Sequence, residues 1–304
     1  MNKPLVSGLL LSTLTACSAS PAGNASISLE AEETITDGLV PGTDAENIVD
    51  GWTVTFDQFV VAIGHVHVGQ QASGFEAHVE DTHVIDLTAL PATGFELAAF
   101  EGIPTGDYDM VEFETPAATA AAIRHESVSQ ADFDAMVAGG CTYLIAGSIT
   151  NPEGERCPPG GACAPVDADG ISFRFCIPAE TAFGPCENSD GTSPLTVAAN
   201  LTAPASITLH GDHLFFDSFP TGEEIVERRA QWLANGDTNG DGETTQAELE
   251  ALDAAELFTA PDYSLAGAPS TVVTAWDFAI AQVKTQGHWN GEGECLIDGE
   301  AHEH

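Results

Sequence analysis

Asp237, Asn239 and Asp241 put an oxygen-bearing side chain at alternate positions, Gly242 follows where a sharp turn is needed, and Glu248 ends the run. With the Glu243 carbonyl and Thr245 acting through a water, this is an all-oxygen donor set. A hard cation that takes about six to eight oxygens is suited by such a set, so the spacing predicts a calcium loop. A second constellation is built from nitrogen. His65 and His67 alternate on one face of an extended run, His210-Gly-Asp-His213 closes another, and His288 lies near the end of the chain. Imidazole is the commonest transition-metal ligand. If these strand ends meet, His65, His67, His210, Asp212, His213 and His288 would hold zinc or copper.

The acidic run needs a helix on either side. Thr221 with Glu224 reads as a capping box, and Ile225, Val226, Trp232 and Leu233 give the incoming segment one apolar face as far as about Asn235. Beyond the loop, Thr245 with Glu248 forms a second box ahead of Leu249, Leu252 and Leu257. Over residues 221–258 the chain thus resembles the EF-hand family, whose loop is matched by Asp237, Asn239, Asp241, Gly242 and Glu248. The resemblance implies coordination by Asp237, Asn239, Asp241, Glu243, Thr245 and Glu248. The chain departs from the family at Thr244, where a branched apolar residue usually pairs with a second loop.

The N-terminus has Lys3, an apolar stretch Leu5 to Leu14 and no acid before Ala16, which reads as an export signal too short to span a bilayer. Leu14-Thr-Ala-Cys17 resembles the bacterial lipobox, which implies that Cys17 is lipidated and becomes the first mature residue. Ser18 in the next position, by the same resemblance, points to the outer membrane, with the protein periplasmic or surface-exposed. The lipid would be its one membrane contact. Ser18 to about Asp44 is small, polar and acidic, and is expected to be a disordered tether.

The formal charge of −40 at pH 7 repels phosphate backbones and anionic lipid, so nucleic-acid binding is excluded and cations are the natural partners. Cys141, Cys157, Cys163, Cys176, Cys186 and Cys295 are an even set, expected to form three disulfides in an oxidising compartment. Cys157 and Cys163 flank a short Pro-Gly loop that can close on itself, and Cys295 would pin the C-terminal end to the body.

Between about Asp50 and His210, short apolar or alternating runs separated by Gly, Pro and Asp read as strands: residues 52–68, 83–87, 108–113, 142–149, 171–177, 195–199 and 205–210. Their number and spacing favour a sandwich. The first half loosely resembles β-sandwich modules of bacterial surface lipoproteins. Helices are expected over the alanine-rich Ala117–His125, after Ser129 up to Gly139-Gly140, and along Val272, Trp276, Ile280 and Val283. The expected fold is therefore mainly β with an α appendage. Its parts are a signal (1–16), a tether (17–48), a disulfide-bonded β-sandwich (49–213), an EF-hand-like region (214–262), and a C-terminal helix with an acidic tail carrying His302 and His304 (263–304). Gly-x-Ser-x-Gly, phosphate-loop and HExxH patterns do not occur. The sequence accordingly reads as a calcium-dependent binding or surface-structural lipoprotein rather than an enzyme. Transition-metal capture or delivery is the alternative reading, and a surface-anchored hydrolase a more distant one.

Overall fold

A computed structural model of the chain describes residues 21–219 and 226–299. In chain order its strands are β1 (Ala22–Ala31), β2 (Thr53–Gln70), β3 (Phe75–Asp86), β4 (Phe95–Pro104), β5 (Gly106–Tyr108), β6 (Met110–Thr115), β7 (Ile123–Arg124) and β8 (Tyr143–Thr150). The second half adds β9 (Glu155–Arg156), β10 (Ala164–Pro165), β11 (Ile171–Ile177), β12 (Thr181–Cys186), β13 (Leu195–Val197), β14 (Thr202–Leu209), β15 (Glu243–Thr244), β16 (Gly287–Trp289) and β17 (Cys295–Ile297). The helices are α1 (Glu33–Thr36), α2 (Gln130–Gly139), α3 (Gln231–Gly236), α4 (Gln246–Ala251), α5 (Ala254–Leu257) and α6 (Ala275–Val283). The protein is mainly β, as expected. No helix among the described residues is long and apolar enough to cross a membrane.

Two sheets carry the architecture. The larger runs β15-β11-β8-β2-β6-β12-β17, with β3 on β2 and β7 on β3; the smaller runs β16-β14-β1-β4. The long strand β2 organises the first. It pairs with β8 over Thr53–Val61, with β6 over Gly64–Gly69 and with β3 over Val60–Gln70. Alternation sorts its side chains: Val61, Ile63, Val66 and Val68 are buried in a core that also takes Val111 and Phe113 from β6. The smaller sheet feeds the same core through Ile27 and Leu29 of β1 and Ile207 and Leu209 of β14. Strands β1 and β14, far apart in sequence, lie side by side in parallel from Asn24↔Thr202 to Ala31↔Leu209.

Each strand expected between Trp52 and His210 has a counterpart, but β4 and β12 were not expected and β3 begins at Phe75 rather than His83; the helix after Ser129 forms as α2, capped by the Ser129 hydroxyl and ended by Gly140 in the left-handed region. The three disulfides are Cys141–Cys176, Cys157–Cys163 and Cys186–Cys295. The last of these ties β12 to β17, and so fixes the C-terminal end to the larger sheet. Residues 263–299 are not a separate part. Trp276, Phe278, Ala279 and Val283 of α6 enter the common core, while β16 and β17 each complete a different sheet.

Several expectations are corrected. Residues 22–48 are no tether: Ala25, Ile27 and Leu29 alternate as a buried strand face, and α1, Leu39 and Ile48 follow into the core. Their small and acidic neighbours mask that pattern in composition. Ala117–His125 is not a helix. The backbone there pairs at Ile123–Arg124 with β3, and Arg124 reaches the Val128 carbonyl, so edge pairing overrides alanine propensity. Among the described residues the incoming helix of the acidic run covers only α3, because Arg228 is held in isolated bridges with Ile48 and Phe216. The outgoing segment breaks at Leu252 into α4 and α5. Cys17, Thr221, Glu224, Ile225, His302 and His304 lie outside the described residues.

Candidate metal centre

Three of the singled-out histidines meet. Strand β14 ends by delivering Leu209 to the core and His210 to the adjoining edge, after which Gly211–Phe215 forms a 3-10 turn that carries His213 back beside His210. The turn fits tightly: a Cβ on Gly211 would stand 2.7 Å from the Ile35 side chain, so only glycine permits this approach. Antiparallel pairing of β16 with β14 sets His288 opposite Thr208 and brings its ring onto the pair. Ring centroids are 4.1 Å apart for His210–His288, 5.2 Å for His213–His288 and 5.3 Å for His210–His213. One ligand nitrogen from each ring lies within 4.8 Å of the others, and all three residues are at most 4% exposed.

Hydrogen bonds orient two of the rings. Thr285 donates its hydroxyl proton to the Gln282 carbonyl at 2.8 Å, so at its 2.8 Å contact with His213 Nδ1 it accepts. The proton of His213 is therefore on Nδ1 and the lone pair on Nε2. His210 Nε2 lies 3.0 Å from Glu32 Oε1 and 3.3 Å from the Gly291 carbonyl, which can only accept. That places the His210 proton on Nε2 and directs its lone pair through Nδ1. Tying one ring nitrogen to a carboxylate, carbonyl or hydroxyl is how proteins fix an imidazole for coordination through the other.

Carboxylates complete the environment. Glu32, His210 and Asp212 form an adjoining group whose ligand atoms also lie within 4.8 Å of one another. Asp212 is 1% exposed; its Oδ2 accepts from Arg228 Nε at 2.8 Å, while its buried Oδ1 accepts no hydrogen bond among the described residues. Burial, reinforced by Asp212, Glu292 and Glu46, pushes the Glu32 carboxyl up to about 8, against the hydrogen bond from Thr34. The buried Asp212 and the part-buried Glu32 stand beside three imidazoles, with Arg228 the one Arg or Lys paired with either among the described residues, and a cation would relieve these surroundings.

His65 and His67 do not join this centre. They sit on β2, where His65 Nδ1 lies 2.8 Å from Glu114 and His67 Nδ1 lies 2.9 Å from Glu112 on the neighbouring β6. Sharing one strand face holds as expected, but that face belongs to the larger sheet, whereas His210 and His288 attach to the smaller one. Glu32 and Thr285 were not among the sequence candidates. Glu32 directly follows the alternating Ala25-Ile27-Leu29 strand, and that periodicity is the signal that could have placed it in the fold.

The acidic run wraps into a compact turn between α3 and α4. Both oxygens of the buried Asp237 accept backbone N–H bonds, Oδ1 from Gly240 and Asp241 and Oδ2 from Gly242. Glu248 Oε1 accepts from Thr238 and Asn239, and its Oε2 from Thr245, while Thr245 and Glu248 form the expected capping box. Gly240 and Gly242 take φ values of 77° and 85°, which supply the turns that side chains resist. At Thr244 the chain pairs with β11 in parallel, Ser172↔Glu243 and Phe173↔Thr244, and the Thr244 hydroxyl bonds the Leu233 carbonyl at 2.6 Å. The larger sheet thus holds the far end of the turn directly. No family model matches the chain, and no curated protein or solved structure is similar to it.

Proposed function

We propose that this protein captures or delivers a transition metal, zinc or copper, which it holds through His210, His213 and His288 with Glu32 and Asp212 beside them. One observation carries the reading: three buried imidazoles converge, and two of them have their second nitrogen engaged by an acceptor so that the other presents a lone pair. Neutral imidazole is a borderline donor that suits zinc and copper, whereas calcium and magnesium prefer oxygen. Burial favours retention over rapid exchange. Elemental analysis of purified protein after dialysis against a weak chelator tests it: about one zinc or copper per chain is expected, and its absence after reconstitution with either ion would overturn the reading.

Calcium enters as a brace. The oxygen set of Asp237, Asn239, Asp241, Glu243, Thr245 and Glu248 suits that ion, and the direct pairing of the loop with β11 supports a role in fixing α3 and α4 to the sheet. We read the two sheets as a sandwich around their common core, and the chain as an exported lipoprotein anchored through Cys17 to the outer membrane. The three disulfides support an oxidising compartment. Chelating calcium is expected to lower the melting temperature and to speed proteolysis across residues 221–258; no change in either would sink the brace.

A further inference from the structure

We infer that His67, His78 and Glu76 form a second, solvent-open site for a divalent transition ion on the outer face of the larger sheet. It shares no residue with the buried centre and does not depend on it. Strands β2 and β3 pair with His67 directly opposite His78 and Gly69 opposite Glu76. The two rings stack with centroids 4.2 Å apart and planes 4° from parallel, so the exposed His78 ring has to turn out of the stack to share an ion with His67; one ligand atom from each of His67, His78 and Glu76 already lies within 4.8 Å of the others. His78 and Glu76 are exposed, so an ion can reach them from solvent.

His67 is the fixed member. It is 8% exposed, and its Nδ1 is 2.9 Å from a Glu112 carboxylate oxygen, which accepts the ring proton. The lone pair therefore lies on Nε2, a buried nitrogen with no hydrogen-bond partner among the described residues. Gly69 sets no side chain against that nitrogen. A Cβ there would lie 3.2 Å from the Met110 Cβ and 3.5 Å from Nε2. Gly69 is absent from the positive-φ glycines, so the backbone does not require glycine at this position. Two imidazoles and one carboxylate, with remaining positions left to water, suit zinc or copper(II) and exclude a hard ion such as magnesium. Glu112 has the carboxylate–histidine relation that orients and strengthens a metal-bound imidazole.

The test is a zinc titration of the chelator-treated protein by calorimetry, in saturating calcium so that the acidic loop is occupied. Nitrogen NMR of the imidazoles follows which histidines respond. Wild type is expected to take two zinc equivalents and His78→Ala one, with the His67 Nε2 resonance shifting only in wild type. Glu112→Gln should weaken the second event by about 10- to 100-fold and leave the first untouched. Equal zinc uptake by wild type and His78→Ala, or a His67 resonance that zinc does not move, would overturn the inference. If the buried centre fails instead, wild type takes one equivalent and His78→Ala none, so the two failures are distinguishable.

Discussion

The acidic loop draws all its donors from one uninterrupted run, Asp237 to Glu248, whereas the histidine centre gathers Glu32, His210, His213 and His288 from segments spread over most of the chain. The loop can organise its oxygens by local hydrogen bonds, as Asp237 and Glu248 do with neighbouring amides. The centre exists only after β1, β14 and β16 have assembled in one sheet. A local site trades affinity for easy formation. A non-local, buried site ties the ion to the folded state, because the unfolded chain cannot reproduce it.

That contrast is broken most decisively at the centre itself. His213→Ala or His288→Ala is expected to lose the one zinc or copper equivalent of the buried centre while leaving calcium uptake and the outer His67–His78 site intact, read by elemental analysis of each variant beside its His78→Ala double variant, which should hold none. With metal at about 1,000 times its Kd, the ion stabilises the fold by about 4 kcal/mol, and this metal-dependent part of the melting transition should vanish in both variants. A double variant that kept its transition metal would mean that these imidazoles do not hold it.

Thr285→Val sharpens the comparison without touching a ligand. It removes the acceptor for His213 Nδ1–H and keeps the side chain's shape, so stoichiometry should persist while affinity falls by about 10- to 100-fold in chelator competition. Unchanged affinity would show that Thr285 only packs.

The same contrast explains what could be read from sequence. The loop's turn and its outgoing capping box were legible because both depend on spacing within a few residues. Most strands from Trp52 to His210 were legible through alternation, but β4, β12 and the first half of β3, where apolar residues are sparse or interrupted by Gly and Glu, were not. The histidine centre was half legible: His210, His213 and His288 stood out as residue types, but nothing in their spacing shows that β16 pairs beside β14, and His65 and His67 looked equally eligible. Residues 22–31 were misread because composition outweighed a clear alternation at Ala25, Ile27 and Leu29, and Glu32 was lost with them. The truncated incoming helix was hidden for a similar reason. Arg228 is committed to Asp212 and to strand-like bridges that only the tertiary fold supplies.

For the loop, the expected effect is smaller. In calcium at ten times its Kd the ion should stabilise the fold by about 1.4 kcal/mol, and Asp237→Ala should remove that increment, as judged from melting with and without chelator. Were Asp237→Ala to respond to chelation as wild type does, calcium would have to act elsewhere.

The smallest effect separates capping from coordination. Helices α4 and α6 both begin with capping boxes, Thr245 with Glu248 and Thr274 with Asp277, but only the first belongs to the acidic loop. Thr274→Ala should cost about 1 kcal/mol, equally in calcium and in chelator. Its acid partner gives the cap a pH signature. Burial pushes the Asp277 carboxyl up, but the backbone and hydroxyl of Thr274 and the Val273 amide outweigh it, so the net pKa is lowered. A lowered folded pKa stabilises fully above the ordinary aspartate value of about 3.9, and that contribution is lost as pH falls through the folded value. Asp277→Asn should therefore flatten the acid limb of the stability profile in that window, whatever the calcium level. If it steepened with calcium instead, α6 would be coupled to the loop through its packing on α4, and the two regions would not be energetically separate.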